Sequence, residues 1–317
     1  MSAASLAIVV VTWNCRDLAL QCLGAAVGSD VTGGLEIMVV DNASSDGTVA
    51  AVADRFPSVR VIVNAQNAGF AAACNQGLRD TAAPFILLLN PDAFPAAQDS
   101  FARLLTALEA RPTFAAVGPR LLSEDGSHQV GDAGFRPSLR SAAAWSFGLH
   151  RFFRGFVLAG PPQPGVRDVD WLCGAAMLIR RAAFEQCGGL DERFFMYAED
   201  MEWGCRLRDH GWRLGYVGAT EVLHLQGGTQ GGDRGDAKIR LVRLDWLDSL
   251  GLLLLARAGR PAWPWFWRLL WLGFWLRSAA YALRDSRKAT AMGMFARHCW
   301  VKSRAAPQAF PERAAVA

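Results

Sequence analysis

Asn90-Pro91-Asp92 follows directly on the apolar run Phe85–Leu89, and this junction could carry chemistry. A continuous aliphatic run of this length reads as a strand buried on both faces of a parallel sheet. Pro91 cannot extend the ladder, so the strand stops and hands Asn90 and Asp92 to its carboxyl edge. In open α/β sheets that edge is where ligands bind. A carboxylate there suits a hard divalent cation carrying a nucleotide diphosphate. The plainer alternative is that Asp92 caps the following helix.

Other runs end in the same way. Leu6–Thr12 leads into Trp13-Asn14, and Glu36–Val40 leads into Asp41-Asn42 and a loop of small acceptors up to Thr48. After Arg60–Val63, Asn67-x-Gly69-Phe70 opens a short helix that carries Asn75. Neighbouring parallel strands set their carboxyl ends side by side. Thr12, Asn14, Asp41, Asn67, Gly69, Asn75, Asn90 and Asp92 are therefore expected to converge. No GxxxxGK[ST] or GxGxxG follows the first strand, which argues against a P-loop ATPase and a dinucleotide-dependent dehydrogenase. Asp41 can hold base or ribose donors and a metal at Asp92 can screen a diphosphate, a pairing that suits a nucleotide sugar.

A second acidic cluster, Glu199-Asp200-Met201-Glu202, opens a helix predicted over 199–211. The helix dipole alone favours carboxylates there. Asp200 also follows an aromatic loop (Phe194, Phe195, Tyr197) that could close a pocket, as a general base requires. Glu202 is placed to pair with Arg206 at i,i+4. His224 closes a strand, where a histidine is often structural; an imidazole there would also complete an aspartate-based metal site.

The elements needed to position these groups are legible as strands alternating with helices, the sign of a mostly parallel α/β sheet. A chain of 317 residues allows one large domain with an appendage or two small domains, and with 52% hydrophobic and 20% charged residues it is not disordered. Seven scattered cysteines form no CxxC pair, so a reducing compartment is expected, without disulfides or a zinc framework. Leu6–Val11 lacks a basic leader and reads as a strand rather than a signal peptide. The segment Trp145–Gly165 has no clean periodicity and reads as a variable insertion, and the glycine-rich stretch Gln226–Gly235 is expected to be mobile.

Beyond it, a long helix is expected over Asp236–Ala258, broken by Pro261, and a second from Pro264 through Leu283. The second is loaded with Trp, yet its longest uncharged run, Leu269–Leu276, is far short of the roughly 20 residues that span a bilayer. From Gly251 onward eleven basic residues face only Asp285 and Glu312, leaving the tail at +9 and the remainder at −5. Such a tail points to an acidic surface, a membrane or a nucleic acid. Trp, Leu and Arg together suit a helix lying in the membrane interface; the alternative is docking on the domain or on a second copy, a homodimer through the C-terminal helices.

VVVTWN, VVDNASSDGT, NAGFAAACNQG, LLLNPDA, WLCGAAMLIRR, GGLDERFFMYAEDMEWGCRL and VLHLQGG occur in this order. Together they resemble glycosyltransferase family 2, in its rhamnosyltransferase-like branch that decorates bacterial cell-surface polysaccharides. The resemblance runs from about Leu6 to Gly232. It implies a GT-A nucleotide-diphospho-sugar transferase fold over residues 1–235, with a helical, basic, Trp-rich region over 236–317. It implies a nucleotide-diphosphate sugar as donor, dTDP-rhamnose favoured, and Mg2+ or Mn2+ as cofactor. By position, Asp41 resembles the nucleoside-binding Asp, Asp92 the metal-binding Asp, Asp200 of the Glu199-Asp200 pair the catalytic base, and His224 the metal-binding His of some relatives. Trp171 and Gly174 match an acceptor-side WxxGA pattern. Asn90 stands where a DxD motif has its first Asp. No QxxRW pattern and no membrane span occur, which argues for transfer of one sugar rather than polymerisation with export. The implied acceptor is a polyprenyl-linked glycan at the inner face of the cytoplasmic membrane, with the protein cytoplasmic and peripherally bound and with no nucleic-acid partner. A nucleotidyltransferase, or a non-catalytic sugar-nucleotide-binding or scaffold protein, is the alternative; the former would need a basic, Gly-rich loop after the first strand, which Thr12-Trp13-Asn14 does not supply.

Overall fold

The computed structural model describes residues 4–149, 157–158, 165–225 and 236–306. The chain begins with β1 (Leu6–Thr12), α1 (Arg16–Val27), β2 (Leu35–Asp41), α2 (Thr48–Arg55), β3 (Arg60–Val63), α3 (Phe70–Asp80) and β4 (Phe85–Leu89). There follow β5 (Ala93–Pro95), α4 (Ser100–Glu109), β6 (Phe114–Leu122), β7 (Ala133–Gly134), α5 (Leu139–Ser146), β8 (Val166–Val169), β9 (Trp171–Leu172) and β10 (Ala176–Arg180). Then come α6 (Arg181–Cys187), α7 (Glu199–Asp209) and β11 (Arg213–His224), and last α8 (Asp236–Ala258), α9 (Ala262–Tyr281) and α10 (Ser286–Arg304).

Nine strands make one sheet in the order β3-β2-β1-β4-β10-β6-β11-β5, with β8 added on β11. β1 to β4 pair in parallel, and so do β6 and β11. β10 runs antiparallel between β4 and β6, so β6 and β11 point the same way as β1–β4. The sheet is therefore mostly parallel, and the carboxyl ends of β1, β2, β4, β6 and β11 share one edge. β4 is buried along its whole length, which is why its sequence is aliphatic without alternation. Helix α3 lies close on the sheet because residue 77 is glycine; a Cβ there would come within 2.3 Å of Val9 Cγ1.

The strand pair expected over Val169–Arg180 divides at Cys173–Ala175, as the glycine at 174 suggested, but the two halves do not pair with each other. β9 pairs with β7 in a small separate sheet, whereas β10 enters the main one. Helix α8 ends at Gly259, whose φ of 77° stops it, and α9 starts at Ala262 with Pro264 in its first turn rather than at its start. Helix α10 falls within the region 236–317 expected to be helical, although its own sequence reads as basic tail; Phe295, Ala296, Cys299 and Ser303 recur at helical spacing and are buried. The stretch 226–235 and most of 145–165 lie outside the described residues; Trp145 itself is in α5. All seven cysteines are free.

Three apolar clusters hold the molecule. Two lie on opposite faces of the sheet. The third joins α8, α9 and α10 to Trp171, Phe194, Ala198 and Met201, so the region after residue 235 shares a continuous core with the segment that carries the acidic cluster. Residue 251 is glycine where α8 meets α9, since a Cβ would stand 2.5 Å from Trp267 Cζ2.

Candidate active site

Register sets the first group. Thr12 at the end of β1 lies opposite Asp41 at the end of β2, and its hydroxyl donates to Asp41 Oδ1 at 2.8 Å. The Ser44 hydroxyl donates to the same oxygen at 2.6 Å, and the Ser44 N–H donates to Oδ2 at 2.8 Å. Asp41 is fully buried, with its charge met by three donors. Asn14 is tied to the same loop: its N–H donates to Ser44 Oγ and its side-chain oxygen accepts from the Ser45 N–H, each at 2.8 Å. Burial alone would raise the Asp46 carboxyl, but hydrogen bonds from Thr48 and from the Arg16 N–H outweigh it and hold Asp46 below the usual range.

The second group lies at the end of β4. The Asn90 N–H donates to Ala175 O at 2.9 Å, and β11 pairs with β5 so that His224 faces Ala93. His224 Nε2 stands 3.4 Å from Asp92 Oδ1 and 3.5 Å from Asn90 Nδ2. The first contact is within ion-pair reach but outside hydrogen-bond geometry, so both Asp92 oxygens, on a residue 1% exposed, have no donor. A buried carboxylate left so is costly unless a cation meets it. Among the described residues no three His, Cys, Asp or Glu gather to enclose a metal. One carboxylate with one imidazole is the donor set for an ion that takes its remaining ligands from water and phosphate, as Mg2+ and Mn2+ do. The residues present therefore fit the implied metal, and Asp92 is not a helix cap; α4 begins at Ser100.

The acidic cluster is the third group. Asp200 Oδ2 accepts from the Gly174 N–H at 3.0 Å and Oδ1 from the Met201 N–H at 2.7 Å. Gly174 and Ala175 are consecutive, so one short piece of backbone holds both Asp200 and the Asn90 turn. Burial pushes the Asp200 carboxyl up, against those two hydrogen bonds. Glu199 is buried deeper, with Oε2 unpartnered; burial first, and the neighbouring Asp200 second, raise its carboxyl well above the usual range. Both shifts favour the neutral acid, more strongly at the deeper Glu199 than at Asp200. Glu202 pairs with Arg206, as i,i+4 spacing suggested.

Asn67, Gly69 and Asn75 bind the donor side to the acid loop. The Gly69 N–H donates to Asn67 Oδ1, and the Phe70 N–H donates to Phe195 O, each at 2.9 Å. Gly69 has φ 87°, and a Cβ on it would meet Phe195 O at 2.7 Å. The Asn75 amide is committed to the Leu190 backbone, donating at 2.8 Å and accepting at 2.9 Å, so it fastens the loop rather than facing a ligand. Trp171 is 1% exposed, donates its indole N–H to Phe135 O and supports α7, whose Gly204 leaves a Cβ only 2.6 Å from Asp170 O. It is closed to an acceptor, while Gly174 reaches the site through its N–H. Among the described residues, the non-glycine residues with positive φ are Asn14, Ala43, Tyr197 and Ala198, all in the loops described above. Left-handed backbone at ordinary residues collects at functional sites. Ser44 and Gln129 went unnoticed in the sequence: Ser44 was one acceptor in a loop of several, and nothing local marks Gln129.

The edge on which these groups meet belongs to a GT-A glycosyltransferase fold. The model of glycosyltransferase like family 2 matches residues 3–233, and the chain belongs to that family. It is 34% identical over 221 residues, 63% of this chain and 69% of the relative, to N-acetylglucosaminyl-diphospho-decaprenol L-rhamnosyltransferase of Mycobacterium tuberculosis. It is 29% identical over 143 residues, 44% of this chain and 52% of the relative, to rhamnosyltransferase WbbL of Escherichia coli. Among solved structures, mannosyltransferase PcManGT from Pyrobaculum calidifontis in complex with GDP-Man and Mn2+ superposes with a TM-score of 0.59 at 19% identity, covering 96% of this chain and 88% of that one.

Proposed function

We propose that the protein is an inverting transferase that moves one sugar from a nucleotide-diphosphate donor to a polyprenyl-diphosphate-linked glycan. Rhamnose from dTDP-rhamnose is the favoured donor, by similarity to the two rhamnosyltransferases. The observation that carries the reading is the convergence of Asp41, Asp92 with His224, and Asp200 on one sheet edge, the last two joined through Gly174-Ala175. Asp41, buried and bonded to Thr12 and Ser44, orders the Thr12, Asn14 and Ser44 loops that hold the nucleoside end. Asp92 and His224, with Asn90 beside them, would hold Mg2+ or Mn2+, which when bound would offset the charge of the departing diphosphate. Asp200 takes the proton of the acceptor hydroxyl, whose oxygen attacks the anomeric carbon as its bond to the diphosphate breaks.

Calorimetric titration of UDP-, dTDP- and GDP-sugars with and without Mn2+ tests the donor side. One nucleotide class is expected to bind with Mn2+, and Asp92→Asn to lose the metal dependence. Binding of none of them, with or without metal, counts against the reading.

A lipid-linked acceptor would be met at the inner face of the membrane. No helix among the described residues is long and apolar enough to cross one. Helix α9 is apolar on both sides: Trp263, Phe266, Trp267, Leu270 and Phe274 enter the core, while Trp265 (60% exposed), Leu272, Trp275 (51%) and Leu276 face outward with Arg268. An apolar outer face with interleaved Arg suits the headgroup region. Co-sedimentation with phosphatidylglycerol vesicles is expected and is expected to fall when Trp265, Leu272, Trp275 and Leu276 are all replaced by Ser. Equal sedimentation of the two proteins, or a dimer that dissociates only in the variant, would instead assign this face to another role.

A further inference from the structure

We infer that Gln129 is the positioning residue that fixes the ring of His224 for a cation at Asp92. This rests on the metal reading given above for its effect on affinity, while the ring geometry stands by itself. Gln129 is buried in the turn after β6, and its amide makes two bonds to the same histidine. Nε2 donates to the backbone oxygen of His224 at 3.3 Å, and Oε1 lies 2.6 Å from His224 Nδ1. The first bond settles the second. A carbonyl oxygen only accepts, so the amide nitrogen faces it and the amide oxygen faces the ring. An amide oxygen also only accepts, so His224 Nδ1 carries a proton.

The consequence falls on the other ring nitrogen. With the Nδ1 proton held by the Gln129 oxygen, Nε2 is the ring nitrogen left to face Asp92 Oδ1 and Asn90 Nδ2, and it is the nitrogen that would ligate a cation there. A ring nitrogen beside a buried carboxylate that has no hydrogen-bond donor suits a bound cation between them. Ligating histidines depend on a partner of this kind at the second nitrogen, and its loss typically lowers metal affinity about 10–100-fold.

Gln129 is itself held in place. Its N–H donates to Leu121 O at 2.9 Å. Asp132, three residues on, accepts at Oδ2 from the Leu121 N–H at 3.1 Å and from the Tyr216 hydroxyl at 2.9 Å, with His128 Nε2 at 2.9 Å. The turn is thus pinned to β6 and β11, the strand that ends in His224.

Two variants of the full chain test the assignment. Gln129→Leu keeps the volume and removes both bonds; Gln129→Glu keeps an acceptor for Nδ1–H. In metal-free protein, 15N NMR of the histidine ring is expected to find the Nδ1–H form of His224 in the wild type and in Gln129→Glu, and a mixed or reversed tautomer in Gln129→Leu. By Mn2+ titration, Gln129→Leu is expected to bind about 10–100-fold more weakly and Gln129→Glu to bind close to the wild type. An unchanged tautomer in Gln129→Leu, or Mn2+ affinity equal to that of the wild type, overturns the inference. Failure of the wild type to take up Mn2+ overturns the metal reading instead, and the NMR result then decides the positioning role alone.

Discussion

Asp200→Asn is expected to lower kcat about 10²–10⁴-fold while donor binding stays as in the wild type. The asparagine oxygen can still accept one of the two backbone N–H groups, from Gly174 or Met201, so the loop keeps its anchor. What disappears is the Asp200 carboxylate, while burial and the neighbouring Asp200 push the Glu199 carboxyl up more strongly, toward its neutral form. The pH profile adds a second reading. The base works as carboxylate, so activity rises as pH climbs through its pKa. Burial has moved that pKa up, so the acid limb of kcat/KM should lie above the ordinary carboxylate range. Steady-state kinetics with calorimetry checks both. Full activity in the variant would remove Asp200 from the mechanism, and a parallel loss of donor binding would make its role structural.

Trp267→Ala should be the most damaging single change outside the site. Trp267 is fully buried and meets Phe266 and Trp263 edge-on at 4.8 and 5.4 Å, with the His298 ring 5.9 Å away. Truncation of a buried tryptophan costs about 3–5 kcal/mol. The cavity opens in the cluster that also contains Phe194, Ala198 and Met201, so the acid loop should loosen with the helices. Chemical denaturation is expected to show the loss of stability, and kinetics a fall in turnover larger than any fall in nucleotide affinity. A variant as stable as the wild type would mean that the third cluster does not share the cooperative unfolding of the rest.

The donor half of the molecule was legible because its information is local. β1, β2 and β4 are apolar runs stopped by polar residues, and parallel pairing then forces Thr12, Asp41 and Asp92 to one edge. His224 was legible only as a choice between structural and ligating roles; pairing across 130 residues of chain, between β11 and β5, decided where it stands. Trp171 and Asn75 could not be judged from residue type. An indole and an amide suit a ligand as well as a core, and only the Phe135 and Leu190 backbones reveal which use each has. Gln129 left no signal, because its role depends on a turn pinned by Asp132 and Tyr216. Helix α10 was hidden by its charge: four buried positions in a basic segment give too weak a periodic pattern.

The continuous core beneath the acid loop also bears on synthesis. Strands β1 to β4 follow one another in the chain, and the Thr12–Asp41 contact spans only 29 residues, so this part of the sheet edge is built from local contacts that can form early. Asp200 is different. The cluster that supports its loop takes Phe295, Ala296 and Cys299 from α10. The loop that carries Asp200 is thus secured only after α10 has been made, about a hundred residues after Asp200 itself.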